Sequence, residues 1–122
     1  MKTLVLNGSL KGDDTLDLAY QAIMDRLNEL ESEIDTYILH DTKIASCLGC
    51  FICWTKTPDI CVTNDEGREI GKKFIQSDLV VYLTPITYGG YSSELKKAVD
   101  RIIPNISPFF MNRKGETHHQ PR

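Results

Sequence analysis

The chain has 122 residues, of which 41% are hydrophobic and 25% are charged, and its formal net charge is −3. This length fits one small domain, and the composition is that of an ordinary globular protein. No apolar run is long enough to cross a bilayer, and the mild negative charge gives no electrostatic reason to expect nucleic acid or an acidic membrane surface as a partner. We therefore expect a single domain, residues 1–122, that binds neither nucleic acid nor membranes.

The first third of the chain has the pattern of a strand, a helix and a second strand. Residues 3–6 are an apolar run that predicts a buried strand ending in a turn. Residues 13–15 are candidate helix N-caps, and apolar residues at helical spacing over 15–32 predict an amphipathic helix. β-Branched and aromatic residues over 34–39 predict the second strand. Strands connected in this way are parallel and joined by a right-handed crossover.

All four cysteines lie in the next stretch, at Cys47, Cys50, Cys53 and Cys61, with the spacing Cys-x2-Cys-x2-Cys-x7-Cys. Iron–sulfur clusters are held by four thiolates, often with consecutive Cys-x2-Cys steps. Structural zinc prefers two separated Cys-x2-Cys pairs, and here the middle cysteine would have to serve two pairs at once. The spacing therefore favours a cluster over zinc, with free or redox-active thiols as an open alternative. Disulfides are less expected, because no secretory signal is visible and cytoplasmic thiols stay reduced.

The rest of the chain continues the alternation of helices and strands. Residues 63–66 have the form of a capping box and predict a helix to about Gln76. Residues 79–83 give the clearest buried strand in the sequence, and Ser92 or Ser93 caps a third helix. We expect the solvated face of that last helix to carry three basic residues, Lys96, Lys97 and Arg101.

The order of these elements predicts an α/β fold with an open, doubly wound parallel sheet. Such sheets bind ligands beyond the carboxyl ends of their strands. The loops 7–15 and 84–92 leave those ends, and the cysteine loop follows the second strand. We therefore expect all three loops to lie on one rim of the sheet. The polar residues 112–122 have no pattern and predict a loop or a frayed end.

Three motifs in this order carry a resemblance to a known family. They are G-S-L-K-G from Gly8, C-x-G-C-F-x-C-W-x-K-T-P-x-x-C from Cys47, and T-P-I-T-Y-G-G-Y-S-x-x-L-K-x-x-x-D-R from Thr84. Together they resemble the flavodoxin-like NAD(P)H-dependent FMN reductases, and most closely the branch of the iron–sulfur flavoproteins. The resemblance covers nearly the whole chain and implies a flavodoxin-like three-layer fold.

The resemblance also implies a cofactor and its binding residues. In the family, the first loop holds the FMN phosphate at a helix N-terminus, where free N–H groups and the helix dipole favour an anion, and the loop after the third strand contacts the flavin ring. The residues that match the phosphate loop are Ser9, Lys11, Asp14 and Thr15. Those that match the ring loop are Pro85, Ile86, Thr87, Tyr88, Gly89 and Ser92. The four cysteines match the ligands of a [4Fe–4S] cluster.

The implied activity is hydride transfer from NAD(P)H to the flavin, followed by electron transfer, with or without the cluster, to an unknown acceptor. The flavin supplies the reactivity, so no side chain is assigned a catalytic role. A cytoplasmic homodimer or homotetramer is implied in the same way.

Two features depart from the family pattern. Asp13 and Asp14 stand where the phosphate loop commonly has a Gly-Asn pair, so FMN is expected to bind weakly. The family sheet has five parallel strands and this sequence supplies about three, which indicates a fragment or a short form. The alternative hypothesis is a non-catalytic or degenerate flavodoxin-like fragment that acts through thiols, metal binding or assembly.

Overall fold

A computed structural model of the chain describes residues 1–121, which form eleven helices and strands. In chain order they are β1 (Lys2–Asn7), α1 (Asp17–Glu29), β2 (Glu33–Ile38), a 3-10 helix (Leu39–Asp41), α2 (Ile52–Thr55), α3 (Glu66–Gln76), β3 (Leu79–Leu83), α4 (Ser93–Asp100), a second 3-10 helix (Ile103–Asn105), β4 (Ile106–Arg113) and β5 (Glu116–Pro121). No helix within the described range is both long and apolar enough to cross a membrane.

The central sheet has three parallel strands in the order β2-β1-β3. This is the order at the start of a flavodoxin-like sheet, and it confirms the predicted α/β class and the predicted number of parallel strands. The prediction of a buried third strand is wrong. Only Leu83 of β3 is buried and Tyr82 is 47% exposed, because among residues 1–121 β3 pairs with β1 alone and its other edge is open.

The core forms around β1, whose residues from Thr3 to Asn7 are all buried because helices cover both faces of the strand. Leu4 and Leu6 pack on one face with side chains from α3, α4 and the segment after β2, namely Leu39, Ile44, Ile70, Leu95 and Ala98. On the other face, the hydroxyl of Thr3 hydrogen-bonds Ser32, just after α1. The fold is therefore three-layered, although α1 itself buries only Leu27.

The polar end of the chain is a β-hairpin, so the prediction of a loop or frayed end is wrong over residues 112–121; Arg122 lies outside the described residues. Strands β4 and β5 pair antiparallel, with Phe110 opposite His119. Lys114 and Gly115 form the turn, and both have positive φ, as a two-residue type I′ hairpin requires. The imidazole of His119 packs against the rings of Phe110 and Trp54, which places the hairpin beside the cysteine segment.

Two of the predicted helix caps differ from the structure. Helix α1 begins after Leu16 with no side-chain cap, rather than at residues 13–15. Helix α3 is capped by Asp65, whose carboxylate accepts from the Gly67 amide, and not by Thr63. Ser92 caps α4, as predicted, by accepting from the Leu95 amide.

Gly8 lies where the end of β1 meets the start of α4, and this contact leaves no room for a side chain. A Cβ atom at Gly8 would lie 2.8 Å from Ser92 Oγ and 2.9 Å from Leu95 Cβ, both buried. We expect Gly8→Ala to lower the free energy of unfolding by about 2 kcal/mol, a typical cost of overpacking, measured by urea denaturation. Gly90→Ala is the control, because the nearest atom to its Cβ would be 3.8 Å away. Equal losses in the two variants would contradict the steric explanation.

Candidate functional site

The loops that follow β1 and β3 meet at one end of the sheet. The Gly8 amide donates to Leu83 O over 2.7 Å, and the Ser92 hydroxyl donates to Gly8 O over 2.6 Å. The chain leaves β1 toward β2 on one side and reaches β3 on the other, so this is the point where the strand order reverses. Open α/β sheets bind ligands in the crevice outside the strands at such a switch point. Two of the three predicted loops therefore share one rim.

The first loop leads into the N-terminus of α1, which no side chain caps. Ser9 is buried, and both its amide and its hydroxyl donate to the Asn7 side chain. These two hydrogen bonds fix the start of the loop against the end of β1. Lys11, Asp14 and Thr15 are exposed on the rim. The helix end is thus open to an anion, with a lysine beside it.

Asp13 lies in the same loop, and its carboxylate accepts from the Thr15 amide over 3.0 Å. Hydrogen bonds from the Thr15 amide and hydroxyl lower the pKa of Asp13, so its negative charge is kept at neutral pH. Asp13 does not cap α1, but it brings a like charge close to any anion bound there.

The second loop presents exposed side chains to the same rim. Thr87 and Gly90 exchange two backbone hydrogen bonds of 2.8 and 3.0 Å, and the two residues between them, Tyr88 and Gly89, have positive φ. Ile86 is 86% exposed and Tyr88 is completely exposed. Neither of these two side chains therefore fills the space beyond the carboxyl ends of β1 and β3. Pro85 and Thr87 are half-buried. Ser92 is buried, and its hydroxyl donates to Gly8 O and accepts from the Leu95 amide.

The four cysteines line a separate cavity of about 70 Å³. None forms a disulfide; Cys47 and Cys50 are exposed, Cys53 is buried and Cys61 is half-buried. Burial, and then the neighbouring cysteines with Cys61 first, raises the pKa of the Cys53 thiol. The rest of the lining is mostly apolar: Leu48, Gly49, Phe51, Val62, Thr63, Ile103 and Pro104, together with Arg101.

The cysteines surround this cavity without converging on a point. Within residues 1–121, no three His, Cys, Asp or Glu side chains come close enough to hold one metal ion. Four cysteines around one mostly apolar cavity supply the number and type of ligands that an iron–sulfur cluster requires, and their spacing favours such a cluster over zinc.

Arg101 is buried beside this cavity, and the prediction that it lies on a solvated face is wrong. Its side chain is 1% exposed and forms a bidentate ion pair with Asp65, with N–O distances of 2.8 and 2.9 Å. Hydrogen bonding to Asp65 is the main cause that raises the pKa of Arg101; burial opposes it, and the nearby Cys61 sulfur adds to it. No signal in the sequence distinguishes Arg101 from the exposed Lys96 and half-buried Lys97 on the same helix.

The cysteine cavity and the loop rim lie at opposite ends of α4. Ser92 is at the N-terminus of the helix, whereas Arg101, Ile103 and Pro104 line the cavity just after its last turn. Nine residues of helix span roughly 13 Å. The prediction that the cysteines share the rim of the other two loops is therefore not met by their cavity. The cysteine cavity and the loop rim are therefore two separate candidate sites near the two ends of α4.

A three-layer parallel sheet with an open helix N-terminus at its switch point defines a flavodoxin-like, mononucleotide-binding class of protein. Comparison with protein families matches residues 1–118 to the family described as NADPH-dependent FMN reductase. The chain belongs to that family.

Curated relatives carry names that agree with this family. The chain is 29% identical to an iron–sulfur flavoprotein of Methanocaldococcus jannaschii, over 93% of this chain and 58% of the relative. It is 30% identical to an iron–sulfur flavoprotein of Archaeoglobus fulgidus, over 83% of this chain and 48% of the relative. An FMN-dependent NADH:quinone oxidoreductase of Methylorubrum populi is 30% identical, over 84% of this chain and 55% of the relative. The chain thus spans about half the length of the curated relatives it matches.

Proposed function

We propose that the chain binds FMN and acts as an FMN-dependent oxidoreductase that takes electrons from NAD(P)H and passes them to an acceptor. Family membership supports this, and the observation that carries it is the pair of loops that meet at the switch point of the sheet. When bound, FMN would accept a hydride from the nicotinamide and release electrons onward. The side chains of this chain would bind, orient and enclose it.

The proposed FMN contacts follow from exposure on the rim. The N-terminus of α1 and the exposed Lys11, with Asp14 and Thr15 around them, would hold the phosphate. The second loop, from Pro85 to Gly89, would contact the ring through Ile86, Tyr88 and backbone amides. The buried Ser9 and Ser92 would act by holding the loops in place, since their hydroxyl groups already have protein partners.

We propose that Cys47, Cys50, Cys53 and Cys61 hold a [4Fe–4S] cluster. Their position around one mostly apolar cavity supports this assignment, as does the spacing Cys-x2-Cys-x2-Cys, which suits a cluster better than zinc. Thiolate ligands must stay reduced until iron is inserted, which makes a reducing compartment such as the cytoplasm part of the proposal. The cluster would relay single electrons between the flavin and the acceptor.

The acceptor and the assembly are proposed at the level of class only. One relative is named a quinone oxidoreductase, so a quinone or a protein electron carrier is the kind of acceptor to test. A homodimer or homotetramer remains an expectation from the family. Phe109 and Phe110 on β4, which are 70% and 65% exposed, are the residues that a subunit contact would cover.

Flavin binding and reduction test the proposal. We expect added FMN to lose fluorescence on the wild-type chain, riboflavin to bind more weakly because it lacks the phosphate, and the bound flavin to bleach on anaerobic addition of NADH or NADPH. Failure of FMN to bind would favour the alternative, a degenerate domain acting through its thiols. Binding without bleaching would mean that the nicotinamide site lies outside this chain.

Removing the charge of Asp13 is expected to strengthen FMN binding. Asp13→Asn keeps an oxygen for the Thr15 amide but removes a like charge near the phosphate, so the dissociation constant for FMN should fall several-fold. Asp25→Asn, on the exposed face of α1, is the matched control and should leave it unchanged. The gain should shrink at high salt, which screens the interaction between charges near the surface. Equal affinities in Asp13→Asn and the wild type would place the phosphate elsewhere.

A further inference from the structure

The guanidinium of Arg101 connects the two ends of the cysteine loop. Nη1 donates to Ala45 O over 2.9 Å, and Nη2 donates to Thr63 O over 3.1 Å. These carbonyl groups lie two residues before Cys47 and two residues after Cys61, so one side chain from α4 holds both stems of the loop. The same two nitrogens bind the Asp65 carboxylate.

One N–H donor of the buried Arg101 guanidinium remains without a partner. A guanidinium has five N–H groups, and the ion pair and the two carbonyl groups use the four on the Nη atoms. Within residues 1–121, Arg101 Nε is buried and has no hydrogen-bond partner of good geometry, although the Cys61 sulfur lies close enough to raise the pKa of Arg101. Buried donors are nearly always satisfied, because an unpaired one loses its hydration without compensation. Arg101 lines the cysteine cavity and also a larger cavity beside α3, and Cys61, whose sulfur acts on Arg101, lines both. An acceptor bound to the cysteines would therefore lie beside the guanidinium.

We propose that Arg101 is the positioning residue of the four-cysteine site, holding both stems of the loop and presenting its positive charge and its remaining N–H group to the cluster. The second half of this statement rests on the proposed function of the cysteines. A cluster bears acceptor sulfur atoms and gains negative charge on reduction. A neighbouring cation and an N–H donor to sulfur both favour the reduced form and raise the reduction potential.

Arg68 provides a matched control on the same loop. Its side chain donates to Cys61 O over 2.9 Å and to Val62 O over 3.4 Å, so it holds only the second stem. It borders the larger cavity beside α3, which Cys61 and Arg101 also line, but unlike Arg101 it does not border the cavity that all four cysteines line. Arg68→Gln therefore removes an arginine from the loop without removing the connection between the stems.

Hydrogen exchange of the metal-free protein tests the positioning role alone. We expect Arg101→Gln to speed exchange at least tenfold at the amides of Ala45 and Gly67, which donate to the Asp65 carboxylate that Arg101 holds. Arg68→Gln should leave the Ala45 amide unchanged. The buried amides of β1, which exchange through global unfolding, report any general loss of stability, and the increase at Ala45 in Arg101→Gln should exceed theirs. Unchanged protection of Ala45 in Arg101→Gln would overturn the positioning role.

Redox titration of the protein reconstituted with iron and sulfide tests the second role. At a fixed ambient potential, we expect the ratio of reduced to oxidised cluster to fall about tenfold in Arg101→Gln, a shift of about 59 mV for one electron. Arg101→Lys keeps the positive charge but loses the guanidinium N–H groups, so its reduced-to-oxidised ratio should fall less than that of Arg101→Gln. In Arg68→Gln, the change should be less than a third of the change in Arg101→Gln. A potential equal to that of the wild type in Arg101→Gln would overturn this role.

The controls separate failure of this inference from failure of the proposed function. A wild-type chain that takes up no iron and sulfide contradicts the cluster, and the exchange measurement then still decides the positioning role. If Arg101→Gln does not fold, the double variant Asp65→Asn/Arg101→Gln, which removes both buried charges, replaces it in the titration. We expect its reduction potential to be lower than that of the wild type. An unchanged potential in that double variant would count against the inference equally.

Discussion

Replacing Asp65 by alanine is expected to lower the free energy of unfolding by about 3–5 kcal/mol, because it leaves the buried Arg101 charge without its partner. The two side chains are only 7% and 1% exposed, and Asp65 also caps α3 and accepts from the Ala45 amide. Several elements therefore depend on one carboxylate. Urea denaturation at neutral pH measures the loss.

The pair Lys73–Asp35 offers a control of the same chemistry at the surface. Its N–O distance is 2.9 Å, but the two side chains are 34% and 35% exposed. Exposed ion pairs are screened by water and contribute little to stability. We expect Asp35→Ala to lower the free energy of unfolding several-fold less than Asp65→Ala does. Similar losses would show that burial does not make the Arg101–Asp65 pair more important for stability.

Asp65 also makes stability depend on acid. Desolvation alone would raise the pKa of its carboxyl group, but hydrogen bonds from Arg101 and from the Ala45 amide outweigh it, so the pKa is lowered on folding. A group whose pKa is lowered on folding stabilises the protein above its unfolded pKa, near 4, and that contribution is lost as the pH falls through the lower, folded value. Urea denaturation between pH 2.5 and 6 should show this loss in the wild type and a flatter profile in Asp65→Asn. A profile of the same slope in both proteins would contradict it.

Substitution of Cys61 is expected to abolish iron binding and leave flavin binding intact. Cys61 is the fourth proposed ligand, and no spare cysteine remains in the chain to replace it. We expect Cys61→Ala to retain less than a tenth of the iron of the reconstituted wild type. Its FMN affinity should not change, because the proposed flavin-binding loops lie at the other end of α4, roughly 13 Å away along the helix axis.

Ser46→Ala is the matched control for this prediction. Ser46 is exposed and precedes Cys47 in the same loop, so its loss should change neither iron nor flavin content. Full retention of iron by Cys61→Ala would remove that residue from the proposed ligand set. Loss of FMN together with iron would show that the two sites depend on each other.

The parallel sheet could be predicted from the sequence because its signals are local. Apolar runs at residues 3–6 and 79–83, with helical periodicity between them, are enough to give the alternating order of strands and helices. The burial of β3 could not be read in the same way. Whether an apolar strand is covered depends on its neighbours in the sheet, and β3 has one neighbour only.

The candidate sites were predictable to different degrees. Cysteine spacing indicated a shared site, and all four cysteines line one cavity. The position of that cavity at the far end of α4 depends on how the loop packs, which spacing does not encode. Arg101 was missed for a similar reason: its burial results from Asp65 and two carbonyl groups that are distant in sequence. The terminal hairpin was missed because β5 is polar, because Pro108 interrupts the apolar residues of β4, and because its turn is Lys114-Gly115 rather than Asn-Gly.

Analysis of flavin, iron and sulfide in the wild-type chain, after anaerobic reconstitution and removal of unbound material, is the most direct test that one chain holds both groups. We expect one FMN and about four iron atoms per chain, with matching sulfide. A folded, colourless chain that retains neither flavin nor iron would contradict both assignments.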